Sequence, residues 1–502
     1  MASQDAAAGL IGLGAGGETI FDFLTIDLLA TLLKIAGWTI VFGAIVYIPF
    51  RRSPTASQAW LLLFFFLPWI ALVLYFLLGN ALHPEWRRKR LERLPAVLQP
   101  IIDRIPDRPP GDFTGLKTRH RITAQLVENI GRLPPLYGNE IEFDGNYDRV
   151  VDRIAADIDA ACHHAHLCFY ILQNDEAGDK VLSALERAAA RGVQCRLLID
   201  AVGSSTDRKK IARRLKDTGV EMHVILPLRF WSQATRLDLR NHRKIVVIDG
   251  RIGWVGSQNM HRIEYEPKTF YRELMARVTG PVVLELQTIF VGDWYLETEE
   301  DIGTEELLPR ETLAKAEIGS GSLLQVMPTG PDFPEAGVDV LFTDLIHNAR
   351  ERVALATPYF VPNEELLNAI STAVRKGVKV ELYITATTNS FLIDFAQESY
   401  FEELLSAGVE VYLYKERFLH AKHLSVDDDI AVIGSSNMDM RSFELNSEVT
   451  LIAYDGRLAG ELREIETDYR QKSKRLDLEE WRQRGFFRQL AENVTRLISP
   501  LL

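Results

Sequence analysis

The apolar positions change their period along the chain. Between residues 29 and 79 they run almost unbroken in two stretches, 29–50 and 59–79, each about as long as a helix needs to cross ~30 Å of hydrocarbon. The second, AWLLLFFFLPWIALVLYFLLG, is uncharged and gives the stronger signal. Pro68 inside it would break a soluble helix, but membrane helices tolerate proline. The first carries Lys34 near one end, where a long side chain can reach the headgroups. Joined by RRSPTASQ, the two runs predict a transmembrane two-helix hairpin over residues 1–83 that returns the chain to the side of its N-terminus. No Lys or Arg precedes the first run and a second run follows at once, a pattern unlike a cleavable signal peptide.

Residues 84–140 read as a basic juxtamembrane segment and a linker rich in proline and charge. Arg87, Arg88, Lys89, Arg90 and Arg93 outnumber Arg51 and Arg52 of the connecting loop, so the positive-inside rule places the large C-terminal region in the cytoplasm. The same residues are expected to attract anionic lipid, at roughly 1 kcal/mol each near the surface, or to serve topology alone.

From residue 141 the period alternates between strand and helix, and does so twice. VVDRIAADIDAACHHA (helix), HLCFYIL (strand), KVLSALERAAARG (helix), VQCRLLID (strand), RKKIARRLKDTG (helix) and VEMHVIL (strand) are answered by VLFTDLIHNARE, RVALATPYFV, ELLNAISTAVRKG, VKVELYIT, SYFEELLSAG and VEVYLYK in the same order. Gly192 and Gly377, and again Gly219 and Gly408, fall where a helix C-terminal cap belongs. This predicts an α/β fold duplicated at about 180 residues, with one layered half over 141–320 and another over 321–475. Residues 476–502 have Phe487, Leu490, Val494, Leu497 and Ile498 at helical spacing among arginines, an amphipathic helix that docks on the domain or lies on a membrane.

Each half closes on one polar pattern: NHRKIVVIDGRIGWVGSQN at 241–259 and LHAKHLSVDDDIAVIGSSN at 419–437. Strand alternation puts His242 and Lys244 on one face, and His420 and Lys422 likewise. Asp249 and Asp427 have the opposite parity and sit at turns, where they brace the strand end through ion pairs or backbone hydrogen bonds. The following strands bring Ser257 with Asn259, and Ser435 with Asn437, to the same region. Recurrence in phase with the repeat excludes coincidence.

Two facing histidines can share the work on a phosphodiester: one, neutral, attacks phosphorus, and the other, protonated, protonates the leaving oxygen. The lysines and asparagines then stabilise charge on the nonbridging oxygens. No metal or other cofactor is required. A carboxylate would orient each ring, and candidates stand at matching offsets in each copy: Glu273, 31 residues after His242, and Glu448, 28 after His420.

Composition narrows the class. Lys plus Arg number 57 against 69 Asp plus Glu, a net charge of −12, which gives no general attraction to nucleic acid. Cys162, Cys168 and Cys195 are too few for a disulfide framework, which suits a reducing compartment. CHHAHLC at 162–168 collects zinc-binding residue types, but it straddles a helix end and a strand start, so the side chains diverge.

The paired H-x-K-x4-D with trailing G-S-x-N resembles the phospholipase D superfamily. Within it, the apolar N-terminal runs, TPYFVP, LHAKHLSVDD, GSSNMDMRSFELNSE and the terminal RLISPLL resemble the bacterial cardiolipin synthases of the phospholipase D type over essentially the whole chain. The resemblance implies two α/β sandwich halves related by a pseudo-twofold axis. It also implies transfer of a phosphatidyl group between two phosphatidylglycerol molecules through a phosphohistidine. It carries over onto His242, Lys244, Asp249, His420, Lys422 and Asp427, with His242 as nucleophile and His420 as acid and then base. It further implies phosphatidylglycerol and cardiolipin as partners and a multi-pass place in the bacterial inner membrane. A membrane-anchored hydrolase, another phosphatidyltransferase such as a phosphatidylserine synthase, a nuclease and an inactive lipid-binding scaffold are the competing readings. The loops LPLRFWSQATR (226–236) and TTNSFLIDF (387–395) offer aromatic residues for a membrane interface, a lid or the core.

Overall fold

Apolar run length governs the first of two compact units, residues 1–82, and strand alternation governs the second, residues 83–500. The computed structural model describes residues 15–52, 54–79, 85–103, 116–227, 238–266, 269–303, 321–333, 337–386 and 390–498, with 307, 309 and 388.

In the first unit, helix α1 (Ala15–Tyr47) runs on through a 3-10 turn to Phe50. Leu28–Phe50, 23 residues with mean hydropathy 1.9, is the segment long and apolar enough to cross a membrane among the described residues. The second apolar run departs from the expected continuous span. It forms two short helices, α2 (Pro54–Phe66) and α3 (Pro68–Leu74), the latter ending in a π turn, Tyr75–Gly79. They break at Leu67, whose φ of −137° and ψ of 62° are not helical. Pro68 supplies no N–H and disfavours a helical residue before it. The two pieces fold back on each other: Trp60 lies edge-on to Tyr75 at 5.1 Å and Phe64 lies 5.9 Å from the same ring.

The second unit is built on one continuous sheet. In its first half lie β1 (Leu136–Asp144), β2 (His164–Phe169), β3 (Gln194–Asp200), β4 (Val220–Ile225), β5 (Ile245–Ile248), β6 (Ile252–Gly256) and β7 (Met275–Thr279). In the second lie β8 (Ser322–Thr329), β9 (Arg352–Ala356), β10 (Lys379–Thr385), β11 (Glu410–Tyr414), β12 (His423–Val426), β13 (Ile430–Gly434), β14 (Asn446–Ala453) and the edge strand β15 (Ser473–Arg475). Spatial order is β4-β3-β2-β5-β6-β7-β1 and then β8-β14-β13-β12-β9-β10-β11-β15. Leaving β15 aside, the second series is the first read backward about the β1–β8 seam, which is the order a pseudo-twofold duplication requires. In each half the three strands separated by helices pair in parallel and the rest pair antiparallel.

Helices repeat in the same phase. α4 (Glu85–Ile102) and α5 (Thr118–Gly131) precede the sheet. Then come α6 (Tyr147–Asp159), α7 (Glu176–Ala190), α8 (Arg208–Leu215) and α9 (Val282–Thr298), matched by α10 (Val338–Asn348), α11 (Glu364–Arg375), α12 (Phe391–Ala407) and α13 (Gly456–Gln471). α9 and α13 follow the last strand of each copy, and Leu286, Phe290 and Trp294 join Leu458, Leu462 and Tyr469 in the central core.

Two expectations change. The segment 84–140 is not a plain linker: α4, α5 and most of β1 occupy it. Its basic cluster is partly turned inward, with Arg87 only 1% exposed and bonded to Asp332 and Glu297, and Arg90 paired with Glu299. Burial there is stable because each guanidinium meets carboxylates. Arg88, Lys89 and Arg93 remain exposed.

The C-terminal helix α14 (Phe486–Ile498) docks by its polar side. Arg488 and Arg496 pair with Glu398 and Glu403 of α12, while Phe486, Phe487, Leu490, Val494 and Leu497 face outward. Phe391, at the start of α12, is also exposed, and residues 228–236 lie outside the described residues.

Candidate active site

His242 and Lys244 lie in the extended stretch that leads into β5, and His420 and Lys422 hold the matching places before β12. All four side chains are buried, and the backbone holds them across the seam. The N–H of His242 donates to the carbonyl of Ser447 at 2.8 Å, and the N–H of His420 to that of Arg272 at 2.9 Å. Each histidine therefore hangs from the other half.

Glu448 and Glu273 follow directly on Ser447 and Arg272, so the carboxylates cross as well. His242 Nδ1 lies 3.0 Å from both oxygens of Glu448, and His420 Nδ1 lies 2.7 Å from Glu273 Oε1. Pairing within a copy, which the similar sequence offsets suggested, is replaced by pairing between copies. The cause is geometric: Arg240 and Asn241, just before His242, pair with Asn446 and Ser447, and Phe418 and Leu419, just before His420, pair with Tyr271 and Arg272, so each motif is seated on the segment that carries the other copy's glutamate.

Each carboxylate is held in turn. Ser257 Oγ donates to Glu273 and accepts the N–H of Leu274 at 2.9 Å; Ser435 Oγ donates to Glu448 and accepts the N–H of Val449 at 3.0 Å. The two G-S-x-N serines thus fix the glutamates. Ser442 adds a further hydroxyl to Glu448 at 2.9 Å; it lies within GSSNMDMRSFELNSE but has no partner of its kind in the first copy's motif.

The lysines fold back, Lys244 Nζ donating to the carbonyl of His242 at 2.6 Å and Lys422 Nζ to that of His420. The asparagines are less uniform. Asn259 Oδ1 accepts the N–H of Ile171 at 3.1 Å, which ties the end of β2 to the motif loop. The Asn437 backbone N–H donates to Ser442 Oγ.

Asp249 and Asp427 stand apart from this cluster. Asp249 accepts the N–H groups of Cys162, His163 and His164, and Asp427 those of Arg350, Glu351 and Arg352, together with the Arg119 guanidinium. Both have left-handed backbones, φ 51° and 50°, a conformation Asp tolerates.

Sequence reasoning passed over several neighbours. The Tyr170 ring lies 5.0 Å from that of His242, with Lys244 Nζ 5.6 Å from its centre, and Tyr271 lies 5.4 Å from His420. Tyr170 follows the carboxyl end of β2, the usual place for ligand contacts in parallel sheets, so its position carried a signal. Arg243, between the motif residues, is fully buried and binds the carbonyls of Glu448 and Thr329 and the carboxylate of Asp293. Alternation turns it away from the lysine and histidine, and the second copy has Ala421 instead.

Burial pushes His242 down to about 4 and His420 well below its ordinary value, so both rings are neutral at pH 7. Burial also lowers Lys244 to about 8 and Lys422 to about 7, against the pull of the two glutamates. Burial raises Glu273; the same burial acts on Glu448, but His242, Lys244 and Ser435 outweigh it and hold that carboxyl below its ordinary value. Two ammonium groups facing two carboxylates are close to neutral overall. A phosphodiester monoanion entering between them calls for one more proton, and the imidazoles are the groups placed to take it.

The CHHAHLC residues diverge. His164 and His166 stack at 4.6 Å inside the fold, His166 lies against Phe290, Cys162 is exposed, and Cys168 points toward Asn241. Among the described residues no group of three or more His, Cys, Asp or Glu is arranged to hold a metal ion.

A duplicated α/β half carrying one H-x-K each, joined by exchanged carboxylates, defines a phospholipase D-like protein. The family model described as cardiolipin synthase, PLD-like domain, matches residues 154–294 and 342–468, one segment per half. A phospholipase D-nuclease N-terminal model matches residues 39–80. Cardiolipin synthase A of Erwinia tasmaniensis is 32% identical over 505 residues, covering 94% of this chain and 100% of its own. That of Pectobacterium atrosepticum is 32% identical over 497 residues, covering 94% and 98%. Among solved structures, a phosphatidylserine synthase of Haemophilus influenzae superposes with a TM-score of 0.57 at 19% identity, over 76% of this chain and 100% of that one, a likeness of fold. The chain belongs to the cardiolipin synthase family of phospholipase D-like proteins.

Proposed function

We propose that this chain joins two phosphatidylglycerol molecules into cardiolipin, releasing glycerol. The observation that carries this reading is the crossed pair His242–Glu448 and His420–Glu273. With Nδ1 of each ring engaged, Nε2 is the nitrogen left for chemistry, and the tautomer is set.

In the first step His420 carries the proton taken up as the phosphodiester enters; His242 Nε2 attacks phosphorus, the P–O bond to the headgroup glycerol breaks, and His420 Nε2 gives that oxygen its proton. A phosphatidyl-histidine and free glycerol result. In the second step His420 takes the proton from a hydroxyl of a second phosphatidylglycerol. That oxygen attacks phosphorus and the P–N bond breaks, so cardiolipin leaves and both imidazoles return to their starting state. Lys244 and Lys422 counter the charge on the nonbridging oxygens. Ser257 and Ser435 hold the glutamates, and Asp249 and Asp427 hold the strand ends. The roles of His242 and His420 follow the family resemblance.

Water competes with the second lipid hydroxyl, and an interfacial setting favours the lipid. The catalytic unit belongs on the cytoplasmic face of a bacterial inner membrane in this reading, because the basic residues cluster on the segments that border it. Mass spectrometry of the lipids formed when purified protein is incubated with phosphatidylglycerol vesicles tests the reading: cardiolipin and glycerol are expected. Phosphatidic acid without cardiolipin would make the protein a hydrolase.

A further inference from the structure

We infer that the second apolar run enters the membrane and leaves it on the same face, so that the N-terminus and the catalytic unit lie on opposite sides. The inference rests on the membrane setting proposed above and adds its topology.

Four observations within the first unit converge. The Arg52 guanidinium, in the loop after α1, donates to the carbonyls of Gly79 at 2.9 Å and Leu78 at 3.0 Å, so the two ends of the run 54–79 meet. Had that run crossed the bilayer, these ends would stand about 30 Å apart. The ring contacts join the two sides of the break, Trp60 and Phe64 on the way in against Tyr75 on the way out, and Tyr47 at the end of α1 stands 6.3 Å from Tyr75.

The break itself lies deep along α1. A Cβ on Gly37 would sit 3.6 Å from Pro68, and Trp38 meets Phe65 at 6.0 Å. Non-helical backbone at membrane depth needs its polar groups bonded within the protein. The amides beside the break are bonded, Leu67 N–H to Leu63 and Ala71 N–H to Leu67, both at 2.8 Å. Length agrees: the 13 residues of α2 reach only about 20 Å at 1.5 Å per residue.

Charge supplies an independent argument. Residues 1–27 contain Asp5, Glu18, Asp22 and Asp27 and no Lys or Arg. Arg51 and Arg52, and Arg87, Arg88, Lys89, Arg90 and Arg93, all follow α1. A two-span hairpin would separate the two basic groups and put the larger one beside the acidic N-terminus. One span followed by a fold-back gathers every one of them on a single face, which the positive-inside rule makes cytoplasmic.

Site-directed cysteine labelling of the full chain tests this. Cys162, the exposed thiol, is first replaced (Cys162→Ser). Ser3→Cys, Ser53→Cys and Glu85→Cys are then introduced singly, with Gln4→Cys, Pro54→Cys and Lys89→Cys as second variants, each required to retain cardiolipin formation. A membrane-impermeant maleimide applied to intact spheroplasts is expected to label position 3 and to spare 53 and 85, which react only after lysis. Labelling of 3 and 85 from one face and 53 from the other would overturn the inference in favour of two spans. All three on one face would overturn it by removing the crossing. Positions 53 and 85 labelled from outside, with 3 protected, would uphold the fold-back and overturn the cytoplasmic placement instead.

Discussion

His242 and Glu448 stand 206 positions apart and share a hydrogen bond at 3.0 Å to each carboxylate oxygen. The bond joins two halves, so neither half holds a complete histidine–carboxylate pair. Glu448→Gln keeps the size but lets the amide present the wrong group to Nδ1. Turnover on phosphatidylglycerol vesicles is expected to fall about 10²–10⁴-fold, and Glu273→Gln is expected to act in the same range. In the double variant the losses should not multiply, because both act on one charge arrangement. Full activity in either single variant would remove the carboxylates from the mechanism.

Separating the two steps identifies the nucleophile. With His420→Ala, the first-step acid and second-step base are gone, so lipid turnover should stop while sedimentation with membranes is unchanged. Intact-protein mass spectrometry with a substrate carrying a good leaving group, which needs no acid, should then show a phosphatidyl adduct in His420→Ala and none in His242→Ala. The reverse pattern would exchange the two roles.

The alkaline side of the pH profile should belong to the lysines. Lys422 near 7 and Lys244 near 8 lose their charge as pH rises through that window, so kcat/KM is expected to fall between about pH 7 and 9. The nucleophile His242 is already neutral, lowered to about 4 by burial, so lowering the pH from 7 to 6 should not cost it. Glu273 and Glu448 face both lysines and are the groups whose replacement would move the limb. A profile level to pH 10 would contradict this assignment.

Asp249 should behave unlike the glutamates. Its carboxylate gathers three backbone N–H groups and its φ is 51°, and it has no contact with the imidazoles. Asp249→Ala is expected to cost about 2–4 kcal/mol of stability in denaturant titration, with much of kcat retained at temperatures where the protein stays folded. A loss of kcat as large as that of Glu448→Gln, at unchanged stability, would place Asp249 in the chemistry.

Arg87 offers a second stability test away from the reacting groups. It is buried against Asp332 and Glu297, and Arg87→Met would leave two carboxylates without their cation. A loss of about 3–5 kcal/mol is expected. A change below 1 kcal/mol would mean that the carboxylates find protons or water cheaply.

What the sequence disclosed and what it withheld divide by range. Local periodicity was enough to expose the repeat, the strand faces of His242 with Lys244, and the outward turn of Asp249 and Asp427, because each depends on residues within a few positions. The exchange of Glu273 and Glu448 was hidden, since it depends on which segments pair between the halves, and the similar offsets pointed to the opposite pairing. Arg87 looked like a surface charge because its partners lie more than 200 positions away. The break at Leu67 was visible as Pro68, yet hydropathy averages over a window and cannot register a change of direction.

The seam between β1 and β8 runs through antiparallel pairing, Leu136 opposite Leu324 and Asn139 opposite Ser322. The halves are thereby parts of one ladder, held to each other like two boards on one dowel rather than by a hinge. Such an enzyme has no clamshell to shut around its substrates. A hinge motion of one half against the other would have to break that ladder, so exclusion of water rests on what lies over the site.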